Sequence, residues 1–234
     1  MGYNSQHKLQ DNIEAIRIAL QWKEGQLLSS IQLEALKQYA GFGGIKAVLY
    51  PHDKIEQWVA LNASQEDLKL YPKIMELHQL LKQHLNETEY KQSLDSIKNS
   101  VLTAFYTPAI APQTLYTVLQ EQGIQPKNLY EPSSGAGIFI AEAANAFPGL
   151  QNITAVEKDL LSGRVLAALC SSLKVPVNVN IAPFEQTPVE ESNQYDVIVS
   201  NIPFGNFPVY DPAYKSEALS GKIHNYFFAK GLDR

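Results

Sequence analysis

Four short stretches of this 234-residue chain set polar or aromatic side chains directly after apolar runs, and their residue types suggest chemistry. "SNIPFG", Ser200 to Gly205, follows the run Tyr195 to Val199. The Asn201 amide oxygen can accept a hydrogen bond from an exocyclic amino group. The backbone carbonyl of Ile202 can accept a second if Pro203 fixes the peptide. Two acceptors on one NH2 draw its hydrogens away and leave the nitrogen lone pair free to attack. Phe204 offers a face on which an extruded base can stack. The same residues also suit an ordinary Pro turn capping a strand. "EPSSGAGIFI", Glu131 to Ile140, holds Gly135 and Gly137, which permit a tight turn and close approach of a ligand to backbone. That turn opens a helix whose amino end presents free N–H groups. Glu157, in "AVEKD", lies about twenty residues beyond the turn, where an acidic side chain can accept from both ribose hydroxyls of a nucleoside. Residue 140 is Ile, so the turn lacks the full G-x-G-x-x-G pattern, which favours a nucleoside without phosphates over a dinucleotide. Phe184, in "IAPFEQTP", suits either stacking on an adenine ring or a place in the core.

The elements that must position these residues change character near residue 100. Before it the chain reads as helices. Ile13, Ile16 and Leu20 form one stripe at helical spacing. Ser29 with Gln32 looks like a capping box for a helix carrying Leu33, Leu36 and Ala40, which Gly41 would end. "GFGG", Gly41 to Gly44, reads as a turn. Ser64 with Asp67 opens a stretch interrupted by Pro72, and Ile74, Leu77, Leu81 and Leu85 continue a stripe. Asn86 with Glu89 starts another, with Leu94, Ile97 and Val101. After Val101, short apolar runs alternate with helical segments. "NLYEP" (128–132), "NITAVEKD" (152–159), "VPVNVNIA" (175–182) and "YDVIVSN" (195–201) read as four strands, with helix-like "GIFIAEAANAF" and "LLSGRVLAALCSSL" between them. Such alternation implies right-handed crossovers and a parallel sheet. Ligands of such sheets bind beyond the carboxyl ends of the strands, where the four stretches fall. The expected organisation is a helical region over 1–100 and an α/β domain over 101–234.

Composition narrows the function. The chain is 45% hydrophobic and 18% charged, a globular balance. No apolar run reaches the roughly 18 residues that span a bilayer. The start MGYNSQHKLQ lacks the segments of a secretion signal. Cys170 is the single cysteine, which excludes an internal disulfide and a multi-cysteine metal site, and a cytoplasmic setting is expected. The histidines His7, His52, His78, His84 and His224 show no metal-ligand spacing, and neither G-x-S-x-G nor a phosphate-binding G-x-x-x-x-G-K-[ST] occurs. Net charge is −5, with 11 basic against 12 acidic residues up to Ser100 and 8 against 12 beyond it. Proteins that grip a nucleic-acid backbone usually show a basic face. If the acidic half acts on nucleic acid, another region must supply most of the grip.

Together the four strand ends resemble class I S-adenosylmethionine-dependent methyltransferases, specifically the amino-group DNA methyltransferases acting on adenine N6. "EPSSGAG" is similar to that family's cofactor loop, and "NIPF" resembles its catalytic Asn-Pro-Pro-Phe/Tyr signature. "AFYTP", Ala104 to Pro108, looks like the segment that packs over the methionine end of the cofactor. The motif order resembles type I modification subunits, and "IHNYFFAKGLD" (223–233) is similar to the helix after the catalytic motif. "KLQDNIEAIRIAL" with "YAGFGGIKAVL" resembles the start of large methylase–helicase proteins of phages and conjugative elements. The resemblance implies a Rossmann-like parallel sheet, truncated at about four strands and incomplete at the C-terminus, with S-adenosylmethionine as cofactor, DNA as partner, no metal and no membrane. It implies a cofactor site of Tyr106, Thr107, Pro108, Glu131, Pro132, Ser134, Gly135, Gly137, Glu157 and Phe184, and a catalytic set of Asn201, Ile202, Pro203 and Phe204. Ile202 departs from the signature's first Pro, though its carbonyl can still serve. Pro183 stands where the family often has an Asp for the adenine amino group, leaving that contact to another group such as Glu185. Two alternatives remain open: methylation of a protein glutamine or an RNA base, and a degenerate fold used for DNA or partner binding.

Overall fold

The structure, a computed structural model, describes residues 4–51, 53–103, 106–188, 194–205 and 207–233. Ala104, Phe105 and His52 lie outside them. The chain forms two compact units, residues 1–106 and 107–234. No helix among the described residues is long and apolar enough to cross a membrane.

The first unit is helical: α1 (Ser5–Gln21), α2 (Ser30–Lys37), α3 (Ile55–Ala60), α4 (Gln65–His84) and α5 (Glu87–Thr103). The starts of α1, α2, α4 and α5 are fixed by side-chain caps. Asn4 accepts from the amides of Gln6 and His7, Ser29 and Gln32 form a complete capping box, and Ser64 accepts from Asp67 N–H. Asn86 and Glu89 cap each other's amides at 3.0 and 3.1 Å. Such caps satisfy amides that the helix cannot.

Two expectations fail here. Pro72 does not interrupt its helix, because α4 runs unbroken from Gln65 to His84. A mid-helix Pro costs about 3 kcal/mol, but Leu70, Ile74, Leu77 and Leu81 lie buried on one stripe of α4, and that burial outweighs the loss. Helix α2 stops at Lys37, short of Gly41. The backbone after it is held by Asn12 of α1, fully buried, which accepts from Ala40 N–H at 2.9 Å and donates to the Gly41 carbonyl at 2.7 Å. Lys8 adds a bond to the Gly43 carbonyl at 2.9 Å.

The second unit contains α6 (Ile110–Glu121), β1 (Asn128–Glu131), α7 (Ile138–Ala146), β2 (Asn152–Glu157), α8 (Leu160–Cys170), β3 (Val177–Ile181), a 3-10 turn at Phe184–Gln186, β4 (Val197–Ile198), α9 (Glu217–Ser220) and α10 (Ile223–Leu232). The strands are parallel in the order β3-β2-β1-β4. These are the first four positions of the doubly wound order 3-2-1-4-5-6, which reverses direction between β1 and β4. Strand β2 ends two residues earlier than expected, because Asp159 caps α8 by accepting from Ser162 N–H at 2.7 Å. Strand β4 keeps only two residues of the expected seven. Its neighbours still tie to β1: the Asp196 carboxylate accepts from the amides of Lys127 and Asn128, and Val199 N–H donates to the Tyr130 carbonyl.

Alternation along the strands gives the sheet two different faces. Leu129, Ile153 and Ala155 pack with Tyr116, Phe139, Ile140, Phe147, Leu166 and Cys170 from α6, α7 and α8. On the other face Tyr130 and Val156 meet Phe184, Tyr226 and Phe227. Asn128, Asn152, Thr154 and Asn178 occupy the rest of that face, with a cavity of about 450 Å³ over them. Among the described residues no α-helix lies between β3 and β4; from that connection Tyr195 lines the cavity and donates to Thr154 Oγ1 at 2.9 Å.

Asn12→Ala removes both bonds that hold the Ala40–Gly41 backbone. Leaving buried backbone groups unpaired should lower folding stability by about 2–4 kcal/mol in chemical denaturation.

Candidate ligand site at the strand ends

The site is built on the turn between β1 and α7. Ser134 N–H donates to the Val156 carbonyl at 2.9 Å, drawing the turn across the end of β2. The Ser134 hydroxyl donates to the Glu131 backbone carbonyl at 3.0 Å, and Gly137 N–H to the Ser134 carbonyl at 2.9 Å. Gly135 and Gly137 have φ of 54° and 92°, the left-handed region that favours glycine. A Cβ on Gly137 would also lie 2.6 Å from Leu166 Cδ1. Pro132 is buried within this turn.

Glu157 closes the arrangement. Its carboxylate accepts from Gly135 N–H at 2.7 Å and from Asp159 N–H at 2.8 Å. Burial first, and the Asp159 charge second, push it up to about 7 against the pull of those two amides. Its oxygens keep further lone pairs for hydroxyl donors.

Glu131 is the least expected group. It is 1% exposed, and neither carboxylate oxygen has a hydrogen-bond partner. Burial, then the nearby Glu157 charge, hold its pKa well above the ordinary carboxylate range, against the pull of the Ser134 hydroxyl, which is bonded to the backbone carbonyl of the same residue. A buried carboxylate without donors is costly.

The fourth strand end joins through two contacts. Ser200 Oγ reaches the Ser133 carbonyl at 3.5 Å. Asn201 Nδ2 donates to Thr107 Oγ1 at 2.9 Å, which turns its amide oxygen into the acceptor end. Ile202 and Pro203 are half-buried, Ile202 packing against the aromatic cluster of the second face, and Phe204 is 66% exposed.

Not every expected residue joins. Phe184 is 3% exposed and sits among Tyr130, Tyr226 and Phe227 with the Lys230 ammonium 5.1 Å from its ring centre. It takes the core role of the two that its sequence position allowed, and its ring is not an open stacking face. Tyr106 belongs to the first unit, where it packs edge-on against Tyr39 at 5.5 Å. Pro108 is exposed and accepts from Ala111 N–H at the start of α6. Glu185 lies exposed in the 3-10 turn after Pro183. Cys170 is buried, and burial, then the Glu131 charge, pushes its thiol up to about 12, away from the thiolate form. No cluster of three or more metal-ligating side chains occurs among the described residues.

The sequence reading passed over Lys230, Asp211 and Tyr226. Lys230 and Asp211 form a buried ion pair at 3.0 Å, and Tyr226 donates to the same Asp211 oxygen at 2.6 Å. The available signal was a lysine in line with the apolar stripe Ile223, Tyr226 and Phe227 of α10.

Comparison with known proteins gives partial matches. No protein-family model matches the chain. Defense against restriction protein B of Escherichia phage P1 is 31% identical over 138 residues, covering 57% of this chain and 6% of that protein. Type II methyltransferase M.XamI of Xanthomonas campestris pv. amaranthicola is 41% identical over 69 residues, covering 30% of this chain and 13% of that protein. The chain thus spans a small fraction of both relatives. Among solved structures, a protein described as a class I S-adenosylmethionine-dependent methyltransferase from Listeria monocytogenes aligns at 15% identity over 97% of this chain and 69% of that one, with a TM-score of 0.41. One described as a modification subunit of a type I restriction enzyme from Vibrio vulnificus YJ016 aligns at 15% identity over 98% and 60%, with a TM-score of 0.45. Both scores are below 0.5, so the fold assignment rests on the strand order and the Gly135–Gly137 turn. These define a Rossmann-like α/β fold with four parallel strands among the described residues.

Glu131 and Glu157 both have folded pKa values above their unfolded ones, so the ligand-free fold binds more protons than the unfolded chain above about pH 4.5. Stability from these groups is therefore present at low pH and falls as pH rises, through a window ending near 7 for Glu157 and through the raised range of Glu131. Glu131→Gln should raise the thermal midpoint of the ligand-free protein at pH 8 relative to wild type, and not at pH 5. Equal offsets at both pH values would contradict a strained carboxylate.

Proposed function

We propose that this chain is the S-adenosylmethionine-binding and acceptor-binding part of a methyltransferase acting on the N6 amino group of adenine in DNA. The observation that carries the reading is the buried, unpartnered carboxylate of Glu131 beside the Gly135–Gly137 turn and Glu157. One ligand with an ammonium group and two vicinal hydroxyls would answer both carboxylates. The residues thus fit S-adenosylmethionine, with Glu131 receiving its ammonium, the glycine turn lying beneath it and Glu157 accepting from its ribose. When bound, that cofactor supplies an electrophilic methyl group on a sulfonium.

The acceptor side follows from "NIPF". The amide oxygen of Asn201, oriented by Thr107, accepts one hydrogen of the amino group. The Ile202 carbonyl accepts the other, and Phe204 presents its exposed face to the extruded ring. Orientation and two hydrogen bonds then carry the catalysis, with no covalent enzyme intermediate. Support for DNA comes from the resemblance to adenine methylases and from the two partial relatives, one named a type II methyltransferase and the other a defense against restriction protein. The chain's net charge of −5 fits a division of labour in which other regions hold the DNA backbone.

Calorimetric titration with S-adenosylmethionine should show binding by wild type and a loss of about tenfold or more in Glu157→Ala. Absence of binding by wild type would overturn the cofactor assignment. In the intact protein, Asn201→Ala should reduce methyl transfer by about 100-fold or more with cofactor affinity nearly unchanged. Radiolabelled methyl recovered in protein rather than in DNA adenine would redirect the acceptor assignment to an amide.

A further inference from the structure

Lysine is almost never fully buried unless paired, and Lys230 is 1% exposed. Its ammonium donates to Asp211 Oδ2 at 3.0 Å, to the Thr187 carbonyl at 3.0 Å and, more weakly, to the Glu185 carbonyl at 3.4 Å. It also lies over the rings of Phe184 and Tyr226 at 5.1 and 5.8 Å. Asp211 is equally engaged: Oδ2 accepts from the Tyr226 hydroxyl at 2.6 Å and Oδ1 from Ala213 N–H at 2.9 Å. One ammonium thus gathers three segments. They are the turn after β3 (184–187), the loop that follows Asn201 as far as Asp211, and helix α10.

Net stability is a weak reason for such a cluster. Replacing a buried ion pair by well-packed apolar side chains is often neutral or favourable. An apolar residue at 230 would continue the stripe of Ile223, Tyr226 and Phe227. What the ion pair supplies and an apolar pair does not is direction: hydrogen bonds fix the carbonyls of 185 and 187 and the Asp211 side chain at one point. The first of these segments ends the strand next to β2. The second carries Phe204 and follows Asn201 directly.

We propose that Lys230 and Asp211 are positioning residues that lock the turn after β3, which follows the residue paired with Glu157, to the loop after Asn201, so that the Glu157 end of β2 and the acceptor loop keep one spacing. This rests on the methyltransferase reading of the site, whereas the mechanical tie itself does not. The loop is further anchored where Val209 N–H donates to the Ser220 carbonyl of α9 and Tyr214 donates to Asp233 at 2.6 Å.

The test is amide hydrogen exchange on the ligand-free full chain, comparing wild type with Asp211→Asn and with the double variant Lys230→Met/Asp211→Leu. Both should exchange faster by about tenfold in 184–188 and in 201–214 together, while β1 and β2 amides stay protected. The double variant, free of an unpaired buried charge, should recover a thermal midpoint near wild type yet still bind S-adenosylmethionine about tenfold more weakly. Wild-type exchange in either segment of both variants would overturn the proposal, as would wild-type affinity in a double variant with restored stability. Failure of wild type itself to bind the cofactor would refute the reading of the site, and the exchange pattern would still decide the tie.

Discussion

The Glu157 carboxylate, at the end of β2, accepts one amide from the glycine turn and one from the approach to α8. The turn is drawn to the same place by Ser134 N–H on the Val156 carbonyl. These bonds decide where the first two strand ends present backbone to a ligand. They also force two acidic groups into one buried volume, since Glu131 ends the neighbouring strand. Burial and like charge then favour their neutral forms, and the ligand-free fold carries that cost. A ligand bringing a positive charge and hydroxyl donors would relieve it and stabilise the fold by mass action. Affinity and stability are therefore coupled through the same two carboxylates.

The sheet above this site has unequal faces for a related reason. One face is sealed by α6, α7 and α8 around Leu129, Ile153 and Ala155. The other is sealed only toward the carboxyl ends of its strands, by an aromatic cluster that includes Phe184, Tyr226 and Phe227. Toward the amino ends, Asn128, Asn152, Thr154 and Asn178 take the apolar positions' place. Polar side chains there match the absence of an α-helix between β3 and β4 in the described residues. The aromatic cluster in turn surrounds Lys230, whose bonds reach the turn after β3 and the loop after Asn201.

Much of this architecture was legible in the residues. The caps at Ser29, Ser64 and Asn86 mark helix starts because a polar side chain three residues before its partner can reach only an unsatisfied first-turn amide. The strand–helix alternation after Val101 marks a parallel sheet because a helix between two strands carries the chain back along the crossover that parallel pairing needs. Pro72 misled because its local cost is small beside the burial of a twenty-residue amphipathic helix. Strand β2's end misled because Asp159 reads equally as strand residue and as helix cap, and only the geometry of Ser162 N–H selects the cap.

The site divides along the same line. Residue type and order along the chain determined that Glu131, Gly135, Gly137, Glu157 and Asn201 fall at strand ends, because pattern periodicity is a local property. Which side chains end up open and which enclosed was decided by packing between segments far apart in sequence. Phe184 became core because α10, some forty residues later, brings Tyr226, Phe227 and Lys230 onto it. Asn201 gained a fixed amide orientation because Thr107, ninety-four residues earlier, lies within hydrogen-bonding distance. The Glu131 carboxylate oxygens have no hydrogen-bond partner because the nearby Ser134 hydroxyl is turned onto the Glu131 backbone carbonyl instead. Burial, pKa and hydrogen-bond direction are sums over such distant neighbours, so only the folded chain could set them.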